Sequence, residues 1–115
     1  MKKVLILTSS PNASGNSNTM AKAFEAAAIK RGALVTRLDM NAVRGTGCCA
    51  CMACRKTAEK CVIKDGVAEV LEAFRAADVL VLAAPVWWLD VPVSIRRFVE
   101  RWHAPAARTE RIYNP

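Results

Sequence analysis

The sequence lacks several features on which common classes of protein depend. Its 115 residues include a single histidine, His103, and a hydrolase triad is therefore hard to build. No apolar run approaches the roughly 20 residues that a membrane-spanning helix requires, so we expect no membrane partner. The apolar start at residues 4–7 is short and is followed at once by polar residues. This excludes an export signal, and we expect a cytoplasmic protein.

Aromatic residues are also few, at 6% of the chain, and they are not interleaved with the basic residues as in proteins that bind single-stranded nucleic acid. We therefore expect no nucleic-acid partner. Seventeen basic and ten acidic residues give a net charge of +7, which favours anionic partners such as a phosphorylated cofactor. Hydrophobic residues make up 53% of the chain, enough for one folded domain over residues 1–115.

Short apolar runs alternate with helical patterns along the chain. The runs at residues 4–7, 34–38 and 79–84 predict strands, and helices are predicted at about 18–31, at 66–76 and from 92 onward. This alternation predicts a three-layer α/β/α protein with a parallel sheet. Right-handed crossovers place the first strand between the other two, in the order 2-1-3. A ligand crevice then opens beyond the carboxyl ends of strands one and three.

The spacing of apolar residues predicts which face of each helix packs on the sheet. In the first helix the predicted stripe is Met20, Phe24, Ala27 and Ala28. In the third helix it is Ile95, Phe98, Val99 and Trp102. We also interpret Met40 and Met52 as packing residues.

A polar loop follows the first predicted strand and leads into the first helix. Residues 8–19 are rich in hydroxyl and amide side chains that can all donate hydrogen bonds to one phosphate. The helix N-terminus adds free backbone N–H groups and a partial positive charge. The loop has neither a Walker A pattern nor GxGxxG, which argues against an NTPase or a dinucleotide site and favours a phosphate monoester. The alternative is an ordinary polar loop with a helix cap.

Two adjacent tryptophans follow the third predicted strand, in the segment 84–90. A planar tricyclic ring binds well between aromatic faces and backbone N–H groups. Because this loop and the polar loop both lie at the predicted crevice, the segment is a candidate for ring binding. The alternative is that the tryptophans cover the core or form a subunit contact.

The cysteine spacing is the sharpest signal in the chain. With no export signal, five cysteines indicate metal or redox chemistry before disulfides. Within a cysteine-rich loop at 45–64, the pattern Cys48-x2-Cys51-x2-Cys54-x6-Cys61 is close to that of ferredoxin-type ligands of a [4Fe–4S] cluster. Lysines at positions 56, 60 and 64 favour thiolates and offset an anionic cluster. Zinc, free thiols and a disulfide are the alternatives, and Cys49 is the extra cysteine.

These segments together resemble one family. Residues 10–17 are similar to the phosphate loop of the flavodoxin-like NAD(P)H-dependent FMN reductases and iron–sulfur flavoproteins, and residues 84–88 are similar to their flavin loop. The resemblance implies that the FMN phosphate is bound by Ser10, Asn12, Asn16 and Ser17. It implies that the flavin ring is bound by Pro85, Val86, Trp87 and Trp88. Two positions depart from the family pattern: Ser9 replaces the usual glycine, and Asn12 replaces the usual arginine, with the loss of one charge.

The resemblance also implies a function and a larger fold. We expect an oxidoreductase in which FMN takes electrons from NAD(P)H or a protein donor and a [4Fe–4S] cluster passes on single electrons. The alternative is a non-enzymatic metal- or cluster-binding module on a shortened flavodoxin scaffold. The family fold usually continues with two further strands, which this sequence lacks, so we expect a homo-oligomer that covers the third strand. The competing idea is that residues 106–115, in the short tail at 104–115, fold back over that edge.

Overall fold

The computed structural model describes residues 1–55 and 60–103 of the chain. Within this part, strands and helices alternate as the sequence predicts. The elements are β1 (Lys3–Thr8), α1 (Asn16–Lys30), β2 (Leu34–Asp39), α2 (Gly66–Ala76), β3 (Val79–Ala83) and α3 (Val93–Glu100). In these same residues, no helix has the length and apolar character that a membrane span requires.

The three strands form one parallel sheet in the order β2-β1-β3, which confirms the predicted topology. β1 is the central strand, and its residues from Val4 to Thr8 are buried because they are covered on both faces. Thr8, the last residue of β1, is paired in register with Asp39 of β2 and Ala83 of β3. The chain segments that follow the three strands therefore leave the sheet side by side, at its carboxyl edge.

The helices lie on both faces of the sheet and complete the three layers. One face carries α2 and α3, and its buried core consists of Leu5, Leu7, Met40, Val67, Val70, Leu71, Ile95 and Phe98. The other face carries α1, and its buried core is smaller, with Val4, Ile6 and Ala21. Burial of Leu, Ile and Phe side chains contributes about 2 kcal/mol each, so the α2/α3 face supplies most of the folding free energy.

Three aromatic rings join α2 to α3. Phe74 stacks on Trp102 with ring centroids 5.4 Å apart, and both rings meet Phe98 edge-on at 5.6 and 5.7 Å. Such pairs contribute about 1 kcal/mol each beyond the area that they bury. The predicted stripe of α3 is therefore confirmed. Met40 packs as expected, but Met52 is 45% exposed and lies in the cysteine-rich loop.

The predicted stripe of α1 is wrong. Met20 is 70% exposed and Phe24 is 44% exposed, whereas Asn18 and Ala21 face the sheet. Ala21 allows the helix to lie close to β1, and Asn18 is held by the preceding loop, so together they set the rotation of the helix. The large apolar side chains of α1 therefore lie outside the buried core, and Phe24 and Ala27 line an open groove beside Val79 of β3. Ala28 is the one member of the predicted stripe that is partly covered.

Candidate functional site

The polar loop between β1 and α1 is held in shape by its own side chains. The Asn18 side-chain amide donates to the carbonyls of Ser10, at 3.3 Å, and Asn12, at 2.7 Å. The Ser10 hydroxyl accepts a hydrogen bond from Asn12 N at 3.2 Å, and Asn12 Oδ1 accepts one from Ser14 N at 3.2 Å. The loop is thus preorganised, and Asn18, which the sequence reading did not single out, is its main support.

Donors suited to a phosphate are available where this loop enters α1. The helix begins at Asn16, and no side chain among the described residues caps it at Gly15, so its first N–H groups are not satisfied by a cap. Ser10 and Ser17 are half-buried, while Asn12 and Asn16 are exposed. The Ser9 hydroxyl is fully buried and has no hydrogen-bond partner among the described residues. Two of the four predicted phosphate ligands, Ser10 and Asn12, therefore lie in the loop, and Asn16 and Ser17 lie in the first turn of α1.

Two basic side chains beside this loop were not predicted to take part in the site. An open pocket of about 390 Å³ on the β2 side of the loop is lined by Lys22 and Arg37 together with Ser10 and Asn18. Arg37 is paired with Glu25 at 3.2 Å. Lys22 comes one helical turn after Asn18, and this spacing is the signal that could have identified it. Asp39 also lines this pocket, so the two basic side chains are offset by Asp39 and by the Glu25 partner of Arg37.

The loop after β3 is a tight two-residue turn. Trp87 N donates to Asp90 O at 2.9 Å, and Asp90 N donates to Trp87 O at 3.1 Å. The two central residues, Trp88 and Leu89, have φ angles of +52° and +66°, which is the geometry of a type I′ turn. Trp88 is 99% exposed and Leu89 is 98% exposed, while Trp87 is half-exposed. Pro85 is partly covered and Val86 is exposed, so this loop exposes apolar surface to solvent.

The predicted crevice places these two loops beside each other. Thr8 and Ala83 are paired in register, and the polar loop and the tryptophan turn follow directly from them. A donor-rich loop for an anion therefore lies next to apolar surface for a planar ring. This position, at the carboxyl edge where the crossovers diverge, is where open α/β sheets bind ligands.

All five cysteines line one small pocket. Its free volume is about 30 Å³, and Met52, Ile63 and Arg101 also contribute to its walls. The Ala50 amide donates to Cys48 Sγ at 3.3 Å. The Ala53 amide makes the same kind of bond to Cys51 and, with a smaller contribution from the Cys49 thiol, lowers the pKa of Cys51. Cys48 and Cys51 thus each accept a hydrogen bond from the backbone amide two residues later, and such hydrogen bonds stabilise the thiolate form.

The cysteines lie close together, but their sulfurs do not converge on one point as the ligands of a bound metal do. All five are free thiols, so no disulfide forms between them in this structure. Among the described residues, no three ligating side chains are placed to hold a single metal ion. Four thiols suit a tetrahedral zinc ion as well as an iron–sulfur cluster, and the side chains must move to hold either one. The donor set of four thiols fits an iron–sulfur cluster chemically, and the loop must spread to admit one because the pocket is small.

Arg101 is the residue of this region that the sequence reading missed. Its side chain is 1% exposed, and it donates to both oxygens of Asp65 at 2.8 Å. It also donates to Cys61 Sγ at 3.4 Å. Burial acts to lower the pKa of Arg101, but Asp65 and Cys61 outweigh this effect and raise the pKa, so the guanidinium stays charged. No sequence pattern marks it, since it follows α3, forty residues after the cysteine that it contacts.

A 2-1-3 parallel sheet with helices on both faces, a polar loop after β1 and an aromatic turn after β3 defines an open, three-layer α/β protein with a candidate ligand site at its carboxyl edge. The chain belongs to the flavodoxin-like fold family, whose model matches residues 2–109. It is 30% identical to the iron-sulfur flavoprotein of Methanosarcina thermophila over 99 residues, covering 86% of this chain and 51% of that protein. It is 30% identical to the iron-sulfur flavoprotein of Archaeoglobus fulgidus over 101 residues, covering 88% of this chain and 45% of that protein.

Among solved structures, the NAD(P)H:quinone oxidoreductase from Methanothermobacter marburgensis superposes with a TM-score of 0.67 at 22% identity, over 89% of this chain and 53% of that one. At this identity the likeness concerns the fold. The chain spans about half the length of the relatives that it matches. The family match at residues 2–109 of this chain includes β1 to α3, and therefore both loops and the cysteines.

Proposed function

We propose that this chain is an FMN-binding domain of a flavin-dependent oxidoreductase. The observation that carries the proposal is the pairing of Thr8 with Ala83, which puts a preorganised donor loop beside an exposed tryptophan turn. The fit of the residues supports a phosphate, because the α1 N-terminus lacks a side-chain cap among the described residues and the Ser9 hydroxyl is buried without a partner there. Membership of the flavodoxin-like fold family supports the same reading.

Two separate groups of residues would bind the phosphate and the ring of FMN. Ser10, Asn12, Asn16 and Ser17 would hold the phosphate by hydrogen bonds, with the uncapped α1 N-terminus supplying a partial positive charge. Pro85, Val86, Trp87 and Trp88 would flank the ring and exclude water from it. Bound FMN would supply the hydride and electron chemistry, with NAD(P)H or a protein as the donor. The protein's part is to position the ring and to set its electrostatic surroundings.

Cys48, Cys51, Cys54 and Cys61 form the second half of the proposal, as ligands of a [4Fe–4S] cluster. Their side chains line one pocket, and backbone amides and the Arg101 guanidinium donate to three of the loop's sulfurs. Donors to thiolate sulfur stabilise the anionic ligands that iron–sulfur clusters require. Two relatives at 30% identity are named iron-sulfur flavoproteins, which supports a cluster here.

Titration of the flavin-free protein with FMN, followed by quenching of flavin fluorescence, tests the flavin site. Ser10→Ala and Ser17→Ala should each weaken binding by about 1 kcal/mol, or about fivefold in Kd, because each removes one phosphate donor. Thr36→Ala is the matched control, since it removes an exposed hydroxyl from β2 outside the loop. If quenching does not saturate at micromolar protein, the flavin site is wrong.

A second candidate is a cluster- or metal-binding module without flavin chemistry. The observation that favours it is the set of contacts around the cysteines, which does not depend on the polar loop. The visible spectrum of protein purified without oxygen separates the two candidates. A yellow protein with flavin bands supports the oxidoreductase, whereas a brown protein that binds no FMN supports the module.

A further inference from the structure

The Arg101 side chain lies directly after α3 and is enclosed by the cysteine-rich loop and the start of α2. It is 1% exposed, so the structure removes a full positive charge from water at this point. A buried guanidinium is tolerated only where partners satisfy it. Asp65 supplies the counter-charge, because both of its carboxylate oxygens accept from Arg101 Nη1 at 2.8 Å. Arg101 also makes hydrogen bonds that are not needed to neutralise its charge.

Those contacts join the two ends of the cysteine-rich loop. Arg101 Nη1 donates to the carbonyl of Thr46, two residues before Cys48, at 3.2 Å. Arg101 Nη2 donates to the carbonyl of Ile63 at 3.0 Å and to the Cys61 sulfur at 3.4 Å. Asp65 closes the arrangement, because its carboxylate also accepts a hydrogen bond from Thr46 N at 3.3 Å. One guanidinium thus fixes the entry of the loop, its exit and the last of the four cysteines.

The contact with Cys61 differs in kind from the contacts with the other cysteines. Cys48 and Cys51 receive their hydrogen bonds from backbone amides of their own loop. Cys61 comes seven residues after Cys54 and lies outside the repeated x2 spacing. It packs against the core between α2 and α3, and it accepts a hydrogen bond from Arg101, which comes from another part of the fold.

We propose that Arg101 is a positioning residue for the Cys61 thiolate and that its charge favours the reduced form of the centre that the four cysteines hold. The proposal rests on the cluster named in the proposed function. Reduction adds one negative charge to a cluster, and a buried cation that donates to a ligand sulfur stabilises that added charge. Removing the cation therefore makes the cluster harder to reduce.

Arginine and lysine are not equivalent at this position. The planar guanidinium donates from its two terminal nitrogens in two directions, which lets it bond Thr46 and Ile63 at the same time. A lysine would keep the positive charge but could not donate from two nitrogens to Thr46 and Ile63 at once. Arg101→Lys therefore separates the two roles: the loop loosens while the charge stays.

Arg97, one helical turn earlier, provides the matched control. It donates to Gly45 O at 3.0 Å and to the carbonyls of Met40 and Val43, so it holds the chain before the first cysteine. Arg97→Lys removes a comparable set of donors from α3. It should loosen the chain at residues 40–45, before the cysteines, without changing the surroundings of Cys61 or the cleavage of the loop at 46–64.

The experiment reconstitutes each protein anaerobically with iron and sulfide and measures the reduction potential by a titration that is followed in the visible spectrum. The unloaded proteins are also digested briefly with trypsin, with cleavage within 45–64 followed by mass spectrometry. The variants are wild type, Arg97→Lys, Arg101→Lys and the double variant Arg101→Met with Asp65→Asn. The double variant removes both charges of the buried pair, so it leaves no unpaired ion that would prevent folding.

We expect a more negative potential in the double variant, because the Arg101 charge contacts Cys61 directly whereas the Asp65 carboxylate is bonded to Arg101 and offsets only part of its effect. We expect a potential close to that of wild type in Arg97→Lys, and faster cleavage of the loop in both Arg101 variants. Equal potentials in wild type and double variant, with equal cleavage rates in wild type and Arg101→Lys, would overturn the proposal. A wild-type protein that takes up no iron contradicts the cluster in the proposed function instead. That result would also contradict the proposed effect of the Arg101 charge on the reduction potential. The cleavage rates of the unloaded proteins would then decide whether Arg101 positions the loop.

Discussion

At the scale of single residues, the tryptophan turn places two large apolar side chains where the backbone opposes them. Trp88 and Leu89 both adopt left-handed φ angles, which cost roughly 1 kcal/mol or more each for residues other than glycine, asparagine and aspartate. Asparagine followed by glycine is the usual choice for this turn. Both side chains are nearly fully exposed, so burial within the chain does not compensate for this cost. We attribute the choice to ring binding and not to stability.

Replacing Trp88 with Asn and Leu89 with Gly should therefore raise the free energy of unfolding by about 1–2 kcal/mol, because the new residues adopt the turn without strain. The same change should weaken FMN binding, because it removes apolar surface from the site. Urea unfolding and FMN titration measure the two effects. The reading of this turn is wrong if stability falls while flavin binding is unchanged.

The cysteines give a second prediction at this scale. Anaerobic reconstitution should yield about four iron and four sulfide per chain, as a [4Fe–4S] cluster requires. Cys54→Ser should lower this content sharply because it removes a ligand, whereas Cys49→Ser should leave it unchanged because Cys49 lies outside the pattern. Iron and sulfide are measured by chemical analysis. Stoichiometric zinc without sulfide in the purified protein would contradict the prediction.

At the scale of elements, α2 begins where the cysteine-rich loop ends. Asp65 caps this helix by accepting from Ala68 N at 2.9 Å, and it also binds Thr46 N and Arg101. Burial acts to raise the pKa of Asp65, but the hydrogen bonds from Arg101, Ala68 N and Thr46 N outweigh it, so the pKa lies below its usual range. Gly45 makes this approach possible, because a Cβ there would lie 2.5 Å from the Asp65 carboxylate.

Because the pKa of Asp65 is lower in the folded than in the unfolded chain, its contribution to stability is present above about pH 4, the ordinary pKa of aspartate. This contribution is lost as the pH falls through the folded-state pKa. Asp65→Asn should cost about 3 kcal/mol at pH 7, because it leaves Arg101 buried without its counter-charge, and the decline in acid should be shallower.

Urea unfolding between pH 7 and pH 3 measures this effect. Glu72→Gln is the control, since it removes a carboxylate from the exposed side of the same helix and should follow wild type. An Asp65→Asn protein whose stability falls in acid as steeply as that of wild type would contradict the argument.

At the scale of the whole molecule, the α1 face of the sheet is only half covered. Within residues 1–55 and 60–103, β3 is paired on one side alone, by β1. An open groove of about 640 Å³ lies between α1 and β3 and is lined by Phe24, Ala27 and Val79 among others. Exposed apolar surface beside an unpaired strand edge favours association. The tail at 104–115, which we considered as a possible cover, lies outside the described residues.

We therefore expect the 115-residue chain to be a homo-oligomer in solution. Leu82→Lys should shift it towards monomer, because a charge on the β3 edge opposes pairing with another strand. Leu34→Lys makes the same change on β2, the other edge strand, where Leu34 is 54% exposed. It should leave the mass unchanged, because the open apolar groove lies beside β3 at Val79. Light scattering across a dilution series measures the mass. A monomeric wild type at every concentration, with cooperative unfolding, would show that this edge needs no partner copy.

The sequence by itself determined the order of the elements and the place of the site. Continuous apolar runs such as that at residues 4–7 indicate strands, and helical spacing between the runs favours parallel pairing with β1 in the middle. From that order the two loops had to meet, because Thr8 and Ala83 end adjacent strands. These features depend on local periodicity and chain connectivity, both of which can be read along the chain.

Only the tertiary structure decided the rotation of α1 and the surroundings of the cysteines. Apolar spacing could not show that Asn18 would be buried for its hydrogen bonds while Phe24 stays exposed. Nor could it bring Arg101 to Cys61, because that contact spans forty residues and depends on how α3 packs against α2. Periodicity reports only on neighbours along one element, whereas these partners are chosen by packing between elements that are distant in the sequence.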